Sequence, residues 1–285
     1  MSRADRIPPT VLVLLAVSSV QFGGAFAKTI FDEIGPGGTV FLRVFFAALI
    51  LGALWRPALS GRSAADWRLV GAYGFALVAM NLSFYEALDR IPLGIAVTFE
   101  FVGPLGVAIA GSRRALDVLW VVLAGAGIVL LSDFGTADLD GLGVTLALVA
   151  GGFWAAYILL AARVGRRYPG GQGLALGMAL GVMMVAPVGL VDAGGDIFSV
   201  EVLAIGLAVA MLSSAIPYTL ELEALRRMPQ GVFGVLMSME PAAAALAGFI
   251  VLGEGLATRE VVAIALVVTA SAGAARNARV PPRDA

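Results

Sequence analysis

The 285-residue chain contains no cysteine and no histidine. Without cysteine it can form no disulfide, no thiolate metal site and no thiol nucleophile. Without histidine it lacks the commonest metal ligand and the side chain that most often moves protons near neutral pH. These absences predict a protein without a metal or any other cofactor, and they argue against an enzyme.

Charge is also scarce, since 14% of the residues are charged, 60% are hydrophobic and the mean hydropathy is +0.94. Apolar runs recur along the whole sequence, each close to the roughly 20 residues that a spanning helix needs. They lack strand-like alternation, so we predict an all-α integral membrane protein with ten transmembrane helices. The predicted spans are Thr10–Ala27, Gly38–Trp55, Trp67–Leu88, Pro92–Gly111, Ala115–Ser132, Leu142–Ala162, Gln172–Val191, Val202–Leu225, Pro229–Leu252 and Arg259–Ala275.

Basic residues divide unequally between the two sides of these spans. With the N-terminus inside, one side collects fifteen arginines and the other only Lys28, Arg90 and Arg259, of which Lys28 should snorkel to the outer headgroups. Because cytoplasmic segments keep positive charge, we predict a bacterial-type inner membrane with both termini cytoplasmic. The arginines form short flanks and no basic patch, which argues against nucleic-acid binding. A signal peptide ending near Ala25–Ala27 is an alternative for the first span, but its removal would leave nine spans.

The sequence repeats itself at an offset of 137 residues. Residues 86–111 match residues 223–248 at ten of twenty-six positions, including Pro104 with Pro241. The offset covers five spans, an odd number, so the second half must be inverted relative to the first. We therefore predict two inverted five-helix repeats, residues 1–136 and 137–285, an architecture typical of secondary transporters. The alternative is that the duplication reflects ancestry alone, as in a channel or a scaffold.

Three ionisable residues fall at mid-membrane depth: Arg43, Glu100 and Glu240. Each costs at least about 2.5 kcal/mol to insert, so each should have a partner or a function. One arginine can neutralise one carboxylate and leave the other free to bind a cationic group or a proton. The alternative is a structural pair between Arg43 and Glu240, with Glu100 permanently protonated.

Prolines accompany these charges. Pro104 deprives the carbonyl of Glu100 of its helical hydrogen bond, and Pro241 does the same to Met237, so both helices should bend. Pro217 should loosen the eighth helix. We predict that the three bends contribute to gating and that freed carbonyls face a cavity, with ordinary packing kinks as the alternative.

Further polar side chains are spaced to share helix faces. Ser214, Tyr218 and Glu221 follow an i, i+4, i+7 spacing in the eighth helix, and Asn81 and Tyr85 lie on one face of the third. Such stripes either line a cavity or hydrogen-bond helices together. Two aromatic residues at the middle of the sixth helix form either a cavity wall or ordinary packing. The predicted substrate-binding residues are Arg43, Asn81, Tyr85, Glu100, Trp154, Tyr157, Tyr218 and Glu240, and the predicted proton-coupling residues are Glu100, Glu221 and Glu240.

Several segments resemble a known family. Residues 99–105 (FEFVGPL) and 112–120 (SRRALDVLW) look like the fourth and fifth helices of threonine/homoserine exporters, an EamA-type branch of the drug/metabolite transporter superfamily. Residues 238–244 (SMEPAAA) and 252–254 (LGE) resemble the ninth helix of that branch. The likeness covers nearly the whole chain and implies ten helices, two EamA-type repeats and efflux of amino acids. The first half has Ser-Arg-Arg where the second has Leu-Gly-Glu, so the two gates are expected to differ.

Both lines of reasoning predict an exporter of small amino acids that works by alternating access. Glu100 or Glu240 would meet the substrate ammonium group and Arg43 its carboxylate, while proton antiport stays open. A zwitterion needs both charges in a dry cavity, whereas a lipophilic drug needs neither. A carrier of another small polar metabolite and a passive channel are the alternatives. We expect a lipid-embedded monomer or weak homodimer with no cofactor and no nucleic-acid partner.

Overall fold

The computed structural model describes residues 7–110, 115–131, 140–228, 233 and 236–277, and this part of the chain is helical without any strand. The predicted boundary between residues 136 and 137, the predicted start of the ninth span at Pro229, and Arg113 and Arg114 lie outside it. The helices are α1 (Pro9–Lys28), α2 (Phe31–Trp55), α3 (Ala64–Leu88), α4 (Leu93–Glu100), α5 (Val102–Ala110), α6 (Ala115–Leu131), α7 (Gly141–Arg167), α8 (Gln172–Ala193), α9 (Val200–Ala210), α10 (Ile216–Arg227), α11 (Glu240–Ala247) and α12 (Thr258–Asn277), with π-helical turns at Met211–Ala215 and Gly248–Leu252.

Length and composition allow several of these helices to cross a membrane. In the described ranges five stretches qualify, and two shorter apolar stretches, Leu93–Val107 and Glu240–Leu252, accompany them. Large apolar side chains also cover the outside of the bundle, where Val191 is 81% and Met183 is 72% exposed. An apolar exterior of this kind is expected of a protein whose solvent is lipid. The chain is therefore an all-helical integral membrane protein. The five qualifying stretches are Pro9–Lys28, Phe31–Trp55, Gly141–Arg167, Gln172–Ala193 and Val200–Glu221.

Helices far apart in sequence pack closely in pairs. The helix α2 packs along α8, α3 along α7, α6 along α12, and α1 along α10. Several contacts depend on glycine: a side chain at Gly103 would collide with the carbonyl oxygen of Gly151, and Gly74 meets Gly177 in the same way. Small residues let membrane helices approach until backbone touches backbone. The result is a tightly packed bundle around the polar centre described below.

Helical geometry is irregular near each of the three prolines at which a bend was predicted. The helices α4 and α5 are separated at Phe101, just before Pro104. The π-helical turn Met211–Ala215 precedes Pro217, and α11 begins one residue before Pro241. Each departure agrees with the missing N–H of proline. A gating role for these bends stays a prediction.

A further break lies near the start of α2. The second span was predicted to begin at Gly38, but helical residues begin at Phe31 and are interrupted at Gly35, which has φ 67° and ψ 168°. Glycine adopts a positive φ without a steric penalty, and Pro36 then begins the continuous part of the helix. The predicted boundary was therefore too late, because an apolar run does not reveal where a Gly-Pro pair starts a helix.

Candidate functional site: a central cavity

A cavity of about 110 Å³ lies between the broken helices. One buried water needs roughly 10–15 Å³ of such space, so the cavity has room for a small solute. Residues from both halves of the chain form its walls, and polar groups alternate there with apolar ones. The lining residues are Val20, Gln21, Gly24, Arg43, Met80, Asn81, Phe84, Tyr85, Val97, Glu100, Trp154, Tyr157, Ser213, Tyr218, Glu221, Met237 and Glu240.

The cavity gathers the residues that the sequence singled out. All eight predicted substrate-binding residues line it, and so does Glu221. They come from six different predicted spans, and the sequence had placed them only by depth and by helix face. Pro104, Pro217 and Pro241 are not among the lining residues. The roles of all these residues in binding, proton coupling and gating stay predictions.

Three carboxyl groups face the cavity, those of Glu100, Glu221 and Glu240. The residues Glu100 and Glu240 are only 8% and 5% exposed. Throughout the described ranges, none of the three carboxyl groups has a hydrogen-bond or ion-pair partner. A buried polar group without a partner is costly, and ionisable residues at membrane depth commonly mark the path of a ligand or a proton.

Arg43 carries the opposite charge to these carboxyl groups and is buried in the cavity wall. The atoms that accept its hydrogen bonds are all neutral. Its Nε donates to Ser214 Oγ at 3.1 Å, Nη1 donates to Tyr85 Oη at 3.1 Å, and Nη2 donates to the carbonyl oxygen of Ser213 at 2.9 Å. The guanidinium carbon also lies 5.5 Å from the centre of the Tyr85 ring. The structural pair between Arg43 and Glu240, which the sequence left open, is not formed.

Aromatic rings support another wall of the cavity. Tyr157 stacks on Tyr73 with ring centres 5.2 Å apart, and Trp154 meets the ring of Phe101 edge-on at 5.3 Å. Such ring pairs fix side-chain orientation in addition to burying apolar surface. The sequence allowed either a cavity wall or ordinary packing for Trp154 and Tyr157. Both hold, because the two side chains line the cavity and also pack against neighbouring helices.

A carboxylate outside the cavity ties α1 and α4 to the segment that follows the π-helical turn Gly248–Leu252. Glu254 Oε1 binds the Lys28 ammonium group at 2.8 Å, and Glu254 Oε2 accepts from the backbone N–H of Leu93 at 2.9 Å. Just inside this contact, a side chain at Gly94 would collide with the backbone of Ala245, so α4 and α11 meet without a gap. We call Lys28, Leu93 and Glu254 the Glu254 network. Lys28 thus has an anionic partner that the sequence did not indicate, and its snorkelling to the headgroups stays a prediction.

A second carboxylate lies near the far end of α2, the helix that begins three residues after Lys28. Asp66 accepts from the backbone N–H of Ser63 at 2.9 Å in a capping box, and it binds the guanidinium of Arg167. Tyr168 donates its hydroxyl to the Asp66 carbonyl at 2.7 Å. The hydrogen bonds from Arg167, and next from Ser63, hold the pKa of Asp66 well below its usual value. We call Ser63, Asp66, Arg167 and Tyr168 the Asp66 network.

Some lining residues were not foreseen. The apolar Met80, Phe84 and Val97 carry no signal that separates a cavity wall from lipid-facing or core surface. Ser213 did carry one, since it lies four residues before Pro217 and its carbonyl must lose its helical partner.

A helical membrane bundle with a ligand-sized cavity, lined by apolar surface and a few buried polar groups from both halves of the chain, is the architecture of a solute transporter. Residues 141–275 match the EamA-like transporter family. The threonine/homoserine exporter RhtA of Salmonella typhimurium LT2 is 42% identical over 286 residues, which cover 96% of this chain and 94% of that protein. The exporter of the same name from Escherichia coli K12 is 42% identical over 282 residues, 95% and 92% of the two chains. The chain belongs to the EamA-like transporter family, and the resemblance noted in the sequence is confirmed.

A more distant sequence and a solved structure are also similar to this chain. An uncharacterized transporter of Archaeoglobus fulgidus is 25% identical over 258 residues, covering 85% of this chain and 89% of that one. A solved crystal structure superimposes with a TM-score of 0.66 over 97% of this chain and 98% of that one, at 18% identity. The family, the bacterial relatives and the apolar helices agree with the predicted multi-pass location in an inner membrane.

Proposed function

We propose that this protein exports small amino acids, threonine and homoserine among them, across the inner membrane by alternating access. One observation carries the proposal: within the described residues, a buried cavity holds a guanidinium and three carboxyl groups that are not paired with one another. An amino acid brings an ammonium group and a carboxylate, so it satisfies both kinds of group at once. The two RhtA exporters support the same substrate class.

In this proposal the ammonium group of the substrate binds between Glu100 and Glu240, and its carboxylate binds Arg43. Trp154 and Tyr157 form an apolar wall that keeps water away, which strengthens the charge interactions. The other predicted binding residues, Asn81, Tyr85 and Tyr218, supply neutral hydrogen-bonding groups to the same cavity.

Three carboxyl groups exceed what one ammonium group requires. We therefore propose that at least one of Glu100, Glu221 and Glu240 carries a proton through part of the transport cycle. Exchange of that proton for the substrate ammonium group would couple export to the proton gradient.

The proposed architecture is ten helices in two inverted repeats, residues 1–136 and 137–285, with both termini cytoplasmic. The helix contacts support it, because exchanging the halves converts the α1–α10 contact into the α3–α7 contact and leaves α2–α8 and α6–α12 unchanged. The excess of arginine on one side supports the orientation. The cavity is complete within one chain, which supports a monomer or a weak homodimer as the working unit.

Counterflow in proteoliposomes tests the proposal. Radiolabelled threonine, homoserine and a panel of other amino acids are compared for the parent, Glu100→Gln, Glu240→Gln and the control Glu201→Gln, whose carboxylate lies in the exposed first turn of α9. We expect saturable exchange by the parent and the control, and loss of at least about tenfold in either cavity variant.

The other outcomes separate the alternatives. Exchange of another small polar metabolite, with no amino acid exchanged, would replace the substrate class. Conductance without counterflow would identify a passive channel. Family and relatives support transport and not catalysis.

A further inference from the structure

The π-helical turn Met211–Ala215 leaves two successive backbone carbonyls without a helical partner. Pro217 has no N–H, so the carbonyl of Ser213 loses the bond that residue 217 would make. The N–H of Ile216 reaches back five residues to Met211, so the carbonyl of Leu212 is released as well. Turns of this kind are frequent at functional sites.

Side chains from the first half of the chain occupy both released carbonyls. Ser19 Oγ donates to the carbonyl of Leu212 at 2.6 Å, and Arg43 Nη2 donates to the carbonyl of Ser213 at 2.9 Å. The next residue of the turn, Ser214, accepts from Arg43 Nε at 3.1 Å. One edge of the guanidinium is therefore fixed by two consecutive residues of one turn.

This arrangement leaves part of Arg43 unused. A guanidinium has five N–H groups in a fixed fork, and each of the three nitrogens of Arg43 makes one hydrogen bond to the part of the chain described here. One N–H therefore remains on Nη1 and one on Nη2. All three acceptors are neutral, so the positive charge is kept, although Arg43 is only 7% exposed. A pair of such N–H groups matches the two oxygens of a carboxylate.

We infer that the turn is the device that presents Arg43 to the carboxylate of the substrate, with Ser214 and Pro217 as positioning residues: Ser214 through its hydroxyl, and Pro217 through the carbonyl of Ser213 that it releases. The inference rests on the proposed function and adds the residues that set the preference for a carboxylate. A serine and a proline that touch no substrate thereby decide whether the cationic end of the site is aligned.

Two variants disturb the device without removing the charge. Ser214→Ala removes the acceptor for Nε, and Pro217→Ala supplies an N–H that can reclaim the carbonyl of Ser213 for the helix. Ser214→Thr keeps the hydroxyl and serves as the rescue. Thr219→Ala is the matched control, since among the described residues its hydroxyl donates to the carbonyl of Ala215, the last residue of the turn, and makes no contact with Arg43.

Competition against threonine counterflow, with threonine and threonine amide as competitors, is the first test. The amide keeps the ammonium group but carries no negative charge. In Ser214→Ala and Pro217→Ala we expect the affinity for threonine to fall about tenfold and that for the amide to change less than about twofold. Ser214→Thr and Thr219→Ala should behave as the parent. An equal loss for both competitors, or no loss for threonine, overturns the inference.

A double-mutant cycle between Arg43→Gln and Ser214→Ala, measured by thermal unfolding of purified protein, tests the contact without using transport. Non-additive midpoint shifts are expected, because the second change removes a partner that is already lost. Additive shifts overturn the inference whatever the protein transports. If the parent exchanges no amino acid while the cycle is non-additive, the proposed function fails and the contact between the turn and Arg43 stands, with the carboxylate as its ligand refuted.

Discussion

The Glu254 and Asp66 networks lie near opposite ends of α2. Both are built around a carboxylate, but the helices that they join are packed differently. Each carboxylate binds one cation and one backbone N–H at the start of a helix: Glu254 binds Lys28 and Leu93, and Asp66 binds Arg167 and Ser63. What differs is the packing beneath. The helices α3 and α7, which the Asp66 network joins, are packed along their length and stack Tyr73 on Tyr157.

Both networks join helices that line the cavity, but the Glu254 network fixes the start of α4, which has only 8 residues, whereas α3 and α7 have 25 and 27. Lys28 ends the helix that carries Gln21, and Leu93 begins the helix that ends at Glu100. An ion pair at the end of a long packed interface adds to a scaffold, whereas one that fixes the start of a short helix can hold a closure. We therefore predict that the Asp66 network is structural and that the Glu254 network closes one access route to the cavity.

The largest expected effect comes from breaking the scaffold itself. A side chain at Gly151 would lie 2.5 Å from the carbonyl oxygen of Glu100, so Gly151→Leu should destabilise the fold by about 3 kcal/mol or prevent folding. Gly152→Leu is the matched control, since a side chain there meets nothing within 4 Å. Yield of monodisperse protein and the unfolding midpoint measure the difference. Equal behaviour of the two variants would mean that α7 does not pack against α4 as described.

The next effect separates the two networks. Glu254→Gln leaves Lys28 without its anionic partner, so the closed state at that end should weaken and counterflow per folded protein should fall about tenfold. Asp66→Asn should lower the unfolding midpoint and leave counterflow per folded protein within about twofold of the parent. If Asp66→Asn slows transport more than Glu254→Gln does, the Asp66 network is the one that closes the access route and the Glu254 network is structural.

A smaller effect concerns acid stability. The pKa of Asp66 is lowered in the folded state by Arg167, so its contribution to stability is fully present above the unfolded value of about 3.9 and is lost as pH falls toward the folded value. Below about pH 4 the parent should therefore lose stability more steeply than Asp66→Asn. Unfolding midpoints between neutral and acid pH measure this. Parallel curves for the two proteins would show that the Asp66 network does not bind the ionised carboxylate.

The smallest effect is expected at an exposed pair near α7. Arg90 lies 3.7 Å from Asp140, and both side chains are more than a third exposed. Arg90→Gln should change the free energy of unfolding by less than about 1 kcal/mol and leave counterflow unchanged. A clear loss of transport would show that the pair between Arg90 and Asp140 also contributes to closing the access route.

The sequence allowed much of the site to be predicted because charge at membrane depth is rare and costly. That argument selected Arg43, Glu100 and Glu240, and helix periodicity added Tyr85 and Tyr218. It did not predict what Arg43 would bind, since the Ser213 carbonyl becomes available only once the π-helical turn has formed.

Long-range contacts were the other part that sequence reasoning missed. Lys28 and Glu254 are 226 residues apart, and nothing local to either one indicates the other. Lys28 alone looked like a snorkelling residue at a helix end. The packing of α1 against α11 and against the π-helical turn Gly248–Leu252 brings its partner within reach.

The most direct test of a cavity built for a zwitterion is competition against threonine counterflow by analogues that lack one charge. Threonine amide lacks the carboxylate charge, and 3-hydroxybutyrate lacks the ammonium group. We predict that each competes at least about tenfold more weakly than threonine, because each leaves one buried charged end of the site without a partner. Competition by either analogue as strong as that by threonine would contradict the account.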